Sequence, residues 1–99
     1  MILVRDTFRV KFGKMKDAVN AIKASQATFA TLGPDMKLRA LTDLTGPYYT
    51  LALEMSFPDL ASWEKMIQTG FNDPAWQAWY ASFVPYLEGG HREIYTVVM

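Results

Sequence analysis

Ninety-nine residues fit one domain, residues 1–99, with no room for a second, and a chain this short hides only about two-thirds of its unfolded surface unless a partner adds burial. Ten basic side chains balance ten acidic ones, which argues against a nucleic-acid-binding surface, since neutralising phosphates needs a basic surplus. There is no cysteine, so disulfides, thiolate catalysis and thiolate metal sites are excluded.

The first stretch, Ile2 to Phe12, alternates: Val4, Phe8, Val10 and Phe12 share one parity and Arg5, Thr7, Arg9 and Lys11 the other. That period marks a half-buried strand. Asp6 breaks the apolar side and is expected to mark an exposed strand end. After Gly13 the spacing becomes helical, with Met15, Ala18, Val19, Ile22, Phe29 and Ala30 on one side, and Gly33-Pro34 ends this helix. Met36 to Leu44 alternates again, Thr45-Gly46-Pro47 forms a turn, and Tyr48 to Met55 completes an antiparallel hairpin. Ser56-Phe57-Pro58-Asp59 reads as a helix start with Ser56 as cap, followed by a stripe of Leu60, Trp63 and Ile67. Gly70 interrupts it, and Asp73-Pro74 opens a second piece to about Leu87, with Trp76, Tyr80, Phe83 and Leu87 in line and Trp79 off the line. Gly89-Gly90 stops the helix, and Arg92 to Met99 is the last strand.

The order βαββαβ predicts a ferredoxin-like α+β fold, in which right-handed crossovers place both helices on one face of a four-stranded antiparallel sheet. The helix-packed face should carry Val4, Phe8, Val10, Leu38, Leu51, Leu53 and Met55. The other should carry Arg5, Thr7, Arg9, Arg39, Leu41, Tyr48, Thr50, Ala52 and Glu54. This second face is too polar for a dry core and more apolar than solvent requires. A sheet paired with a second copy and a monomer with a wet face fit the periodicity equally well.

No apolar run reaches the ~20 residues of a membrane-spanning helix. Arg5, Asp6 and Arg9 interrupt the N-terminal apolar stretch, which is unlike a signal peptide. A cytoplasmic protein without membrane attachment is expected.

Phe8-Arg9-Val10-Lys11-Phe12-Gly13-Lys14, Gly46-Pro47-Tyr48-Tyr49 leading to Leu53-Glu54, and the closing Arg92-Glu93-Ile94-Tyr95 resemble the NIPSNAP-like branch of the dimeric α+β barrel superfamily, which includes the antibiotic biosynthesis monooxygenase-like proteins. The resemblance implies a homodimer whose two sheets form a barrel. Two such sheets facing each other would enclose a cavity with polar fittings, so the second sheet face, with Arg9, Arg39, Tyr48 and Glu54, is the first place to look for a site. The resemblance adds a small apolar or aromatic ligand between sheet and helices, with Asn72, Trp63, Trp76, Tyr80 and Arg92 supplying the residue types that monooxygenase relatives place around an aromatic substrate. Relatives of this kind include cofactor-independent monooxygenases, isomerases and haem-degrading enzymes. The haem-degrading relatives carry a ligand histidine on a helix, whereas His91 follows two glycines at a strand entrance, so no cofactor is expected.

Three residues are candidates for catalysis. His91 is a candidate base, the role histidine most often takes, although a histidine beside Gly89-Gly90 is more simply a solvated turn residue; with no paired carboxylates nearby, a metal site is not expected. Glu54 can accept a proton while Arg39 or Arg9 holds an anionic or carbonyl oxygen; the simpler reading is a cross-strand ion pair. Core and dimer packing likewise accounts for the tryptophans. No dinucleotide fingerprint, phosphate loop, HExxH pair or GxSxG elbow is present.

Overall fold

The computed structural model of the protein describes residues 1–32 and 37–99. Strand β1 (Ile2–Val10) is followed by helices α1 (Met15–Ala24) and α2 (Gln26–Leu32), then by strands β2 (Arg39–Thr42) and β3 (Thr50–Phe57). Helices α3 (Leu60–Phe71) and α4 (Pro74–Phe83), a 3₁₀ turn (Val84–Tyr86) and strand β4 (Leu87–Thr96) complete the chain. The four strands form one antiparallel sheet in the order β2-β3-β1-β4. This is the ferredoxin-like α+β arrangement.

The alternation in β1 becomes a division between two faces. Val4 and Val10 are buried beneath the helices together with Leu51, Leu53, Met55 and Phe57 of β3. One core cluster joins Val10, Leu51 and Leu53 to Ala18 and Ile22 of α1 and Phe83 of α4; a second joins Val4, Met55 and Phe57 to Met66 of α3. Each fully buried aliphatic or aromatic side chain contributes about 1.5–3 kcal/mol, so these two clusters fix which face of the sheet the helices cover.

Several boundaries depart from the periodicity. β1 stops at Val10, and Phe12, 74% exposed, leaves the ladder to meet the Tyr49 ring edge-on at 4.9 Å. The first helical stretch is two helices, broken at Ser25, whose buried hydroxyl donates to the Ile22 carbonyl at 2.6 Å and competes with the backbone there. Its expected end at Gly33-Pro34, and Met36 of the next strand, lie outside the described residues. β3 begins at Thr50, because Tyr49 adopts a positive φ of 59° and Asp43 closes the hairpin by accepting from the Thr50 N–H at 2.9 Å. Tyr48 therefore sits in the β2–β3 connection, 77% exposed, and not on the sheet. The cap of α3 is Asp59, which accepts from Ser62 N–H at 2.8 Å, while Ser56 remains in β3. Gly70 is buried in the last turn of α3 rather than interrupting it. Asp73 caps α4 with Pro74 in its first turn, as expected.

The largest revision concerns Gly89-Gly90. Both lie inside β4, opposite Arg9 and Phe8 of β1. A Cβ on Gly90 would meet the Thr7 carbonyl oxygen at 2.6 Å and Phe8 Cδ1 at 3.1 Å, so glycine serves here for close strand approach and not as a helix stop. Val97 to Met99 follow the strand and are exposed.

Candidate functional site

A cavity of about 530 Å³ lies between the helix-facing side of β1 and β4 and the helices α3 and α4. Its walls are mainly aromatic. Trp76 and Tyr80, one turn apart on α4, stack at 4.9 Å with 17° between their planes; Trp79 and Phe83 stack at 5.0 Å in the same way. Phe71 at the end of α3 meets Trp76 edge-on at 5.4 Å and, 56% exposed, stands at the open side. Trp79 is locked by its indole N–H, which donates to the Ala21 carbonyl at 2.7 Å, and by the edge of Phe29. This explains a tryptophan that lay off the helical stripe.

The strand side of the cavity is polar. Asp6 and Arg92 are direct partners across β1 and β4, and both border the cavity. Arg92 Nε donates to Asp6 Oδ1 at 2.6 Å and Nη2 to Oδ2 at 3.1 Å, a two-bond fork. Arg92 also lies over the Trp63 ring, 5.2 Å from its centroid. Fork and ring together fix the guanidinium plane, and among the described residues nothing accepts from its Nη1. Asp6 raises the already high Arg92 pKa through this bonding. Asp6 is therefore not an exposed strand end. It is buried in the middle of a central strand, a position tolerated because the charge is paired.

The opposite face of the sheet carries a separate network. Glu54, only 4% exposed, is held by two guanidiniums: Arg39 Nε donates to Oε1 at 3.2 Å and Arg5 Nε to Oε2 at 2.8 Å. Hydrogen bonding from Arg39, followed by that from Arg5, holds the Glu54 carboxyl below its ordinary pKa against the opposing effect of burial. A carboxylate held ionised in this way accepts a proton poorly near neutral pH, so the geometry favours the ion-pair reading of Glu54. On β4, Tyr95 donates to Glu93, and His91 Nε2 lies 3.4 Å from Glu93 Oε1. The Tyr95 bond lowers the Glu93 pKa and raises that of Tyr95.

The structure thus distributes the candidates over three places. Trp76, Tyr80 and Arg92 border the helix-side cavity, with Trp63 beneath Arg92. Glu54 and Arg39 are joined on the open face. Arg9, opposite Thr50, is exposed and is not part of the Glu54 network; the second guanidinium comes instead from Arg5. Tyr48 is in a turn. His91 borders the cavity mouth, yet its imidazole is 63% exposed and meets Glu93, away from Asp6 and Arg92. Asp6 was missed as a site residue. The available signal was an acid on the apolar parity of one strand and an arginine on the corresponding parity of another.

No protein-family model and no curated protein matches the chain. Solved structures do. A NIPSNAP domain protein from Burkholderia xenovorans superposes with a TM-score of 0.87 at 20% identity, over 99% of this chain and 95% of that one. The chain has the NIPSNAP-like fold. A NIPSNAP family protein from Agrobacterium tumefaciens gives a TM-score of 0.85 at 16% identity, covering 96% of this chain and 90% of that one. An antibiotic biosynthesis monooxygenase gives 0.76 at 11% identity, covering all of both chains. Among the described residues no helix is long and apolar enough to cross a membrane.

Proposed function

We propose that the protein is a cytoplasmic homodimer, each protomer one domain, that binds a small flat apolar or aromatic molecule in the cavity between sheet and helices. The observation that carries this reading is the pairing of stacked aromatic walls with one oriented guanidinium, Arg92, at the strand side. Flat aromatic walls favour a flat ligand, and a fixed donor selects one with an oxygen acceptor at its edge. Self-association draws support from the open sheet face, where Leu41 and Tyr95 remain 40% and 41% exposed on the strands.

Trp76 and Trp79 border the cavity and report on it. Titration with flat phenolic compounds should quench tryptophan fluorescence saturably, and replacing Asp6 and Arg92 together by valine, which removes the donor without stranding a charge, should weaken binding about tenfold or more. Unsaturable or absent quenching across such a series would rule the reading out. The alternative, a cofactor-independent monooxygenase or isomerase of the antibiotic biosynthesis type, is favoured by one feature: a guanidinium beside an aromatic cavity can hold a developing phenolate oxygen. Oxygen consumption with a bound phenol, abolished by Arg92→Ala, would select the oxygenase reading; binding without consumption would select the first.

A further inference from the structure

The helix-side cavity has a guanidinium on its wall but no net positive charge to offer a ligand. Among the described residues, the acidic and basic side chains that border it are Asp6, Glu88, His91 and Arg92. Nε and Nη2 of Arg92 are both committed to Asp6, at 2.6 and 3.1 Å. Seen from the cavity the pair is a dipole, not a point charge. Glu88 is the extra residue of a β-bulge, since Leu87 lies opposite Val10 and Gly89 opposite Arg9. It brings a second carboxylate to the cavity edge, with no cation bonded to it among the described residues. His91, at the mouth, lies 3.4 Å from Glu93, which answers its charge whenever the imidazole is protonated. One cation thus stands against two carboxylates, and most of the remaining wall is aromatic and aliphatic.

A ligand with an uncharged oxygen and one with an anion fare differently on this wall. Nη1 of Arg92, which bonds nothing among the described residues, can donate to a carbonyl or hydroxyl oxygen while the pair with Asp6 stays intact. A carboxylate on the same ring system would give up its hydration among stacked aromatic side chains. Its attraction to Arg92 would be offset by repulsion from Asp6, and Glu88 adds to that repulsion. Taking the guanidinium by displacing Asp6 would leave a buried acid, 8% exposed, without a partner in a central strand.

We infer that Asp6 is a specificity-determining residue of this cavity: by neutralising Arg92 it admits flat ligands whose edge oxygen is uncharged, as in a ketone, amide or phenol, and rejects carboxylates of the same shape. This rests on the ligand site proposed above and adds the charge class of what the site takes. Glu88 acts in the same direction from the cavity edge.

The test compares 2-naphthamide with 2-naphthoate, which share ring system and shape and differ in charge near neutral pH. Isothermal titration calorimetry measures both affinities, and the Trp76 and Trp79 indole N–H signals in two-dimensional NMR locate the bound ring. Wild type should bind the amide about tenfold or more tightly than the carboxylate. Asp6→Asn keeps the shape of the side chain and leaves the Arg92 charge unanswered, so this ratio should fall about tenfold or more in favour of the carboxylate. Glu88→Gln, at an exposed residue, should move the ratio the same way by about twofold or more, and it carries the test if the Asp6 variant does not fold. Circular dichroism establishes which variants are folded. A general loosening of the cavity weakens both ligands alike and leaves the ratio where it was. A wild type that binds the carboxylate as tightly as the amide, or a ratio unmoved in the folded variants, would overturn the role of Asp6 and leave the ligand site standing. Binding of neither ligand, with the indole signals unmoved, would overturn both.

Discussion

Cutting the Asp6–Arg92 pair from its two ends should have unequal consequences. The Asp6 carboxylate is buried, its side chain 11% exposed, whereas the Arg92 side chain is 43% exposed. Arg92→Ala leaves a mostly buried carboxylate without its partner, and removing one partner of such a pair costs about 3 kcal/mol or more. The same substitution forfeits the contact with the Trp63 ring, worth about 0.5–1 kcal/mol. Asp6→Ala strands a guanidinium already in partial contact with solvent, so its cost is discounted to about 1–2 kcal/mol. Replacing both together, as Asp6→Val with Arg92→Val, removes the charges and puts β-branched side chains on the helix-packed face. It should lie within about 1 kcal/mol of wild type. Urea unfolding at fixed protein concentration reads all four proteins, provided the slopes agree. An Asp6→Ala variant less stable than Arg92→Ala, or a double variant worse than both singles, would refute the reasoning.

Two further predictions follow from the open face and from β4. The Glu54 pKa lies below its unfolded value of about 4.3, so the stabilisation from Arg39 and Arg5 is complete above that pH and is lost as pH falls through the folded value. The stability difference between wild type and Glu54→Gln should therefore narrow as pH drops below about 5; a gap that stays constant or widens contradicts the assignment. Gly90→Ala pushes a Cβ to 2.6 Å from the Thr7 carbonyl oxygen and should cost about 1–3 kcal/mol in thermal or urea unfolding, while Gly89→Ala, with open space at that position, should cost about 1 kcal/mol or less. Equal effects at the two glycines would contradict the close-approach account.

Alternation and helical spacing carried the sequence reading to the βαββαβ order and to the correct parity of Val4, Phe8, Val10, Leu51, Leu53 and Met55, because burial on one face of a strand imposes a period of two. Element ends were less legible. The ends at Val10, Ser25 and Tyr49 depend on Phe12 meeting Tyr49, on a serine bonding its own helix, and on a left-handed backbone, all contacts that periodicity does not encode. Gly90 shows the same limit: a paired glycine and a helix-stopping glycine look alike until the neighbouring strand is known. Of the site, the aromatic residues of α4 and Arg92 were found by residue type, whereas Asp6 was mistaken for an exposed end because its partner is 86 residues away. Arg39 was grouped with Glu54 and is bonded to it, whereas the second guanidinium was assigned to Arg9 in place of Arg5 for a related reason. Both arginines share one face, and only the β1–β3 register decides which lies opposite Glu54.

Ligand binding in the helix-side cavity is the central proposal. Two-dimensional NMR of ¹⁵N-labelled protein during titration with a flat phenol tests it directly. The account predicts saturable shifts at the Arg92 Nε–H and at the Trp76 and Trp79 indole N–H groups, with the Arg5 and Arg39 Nε–H signals unmoved. Shifts confined to Arg5 and Arg39, on the open face of the sheet, would contradict it.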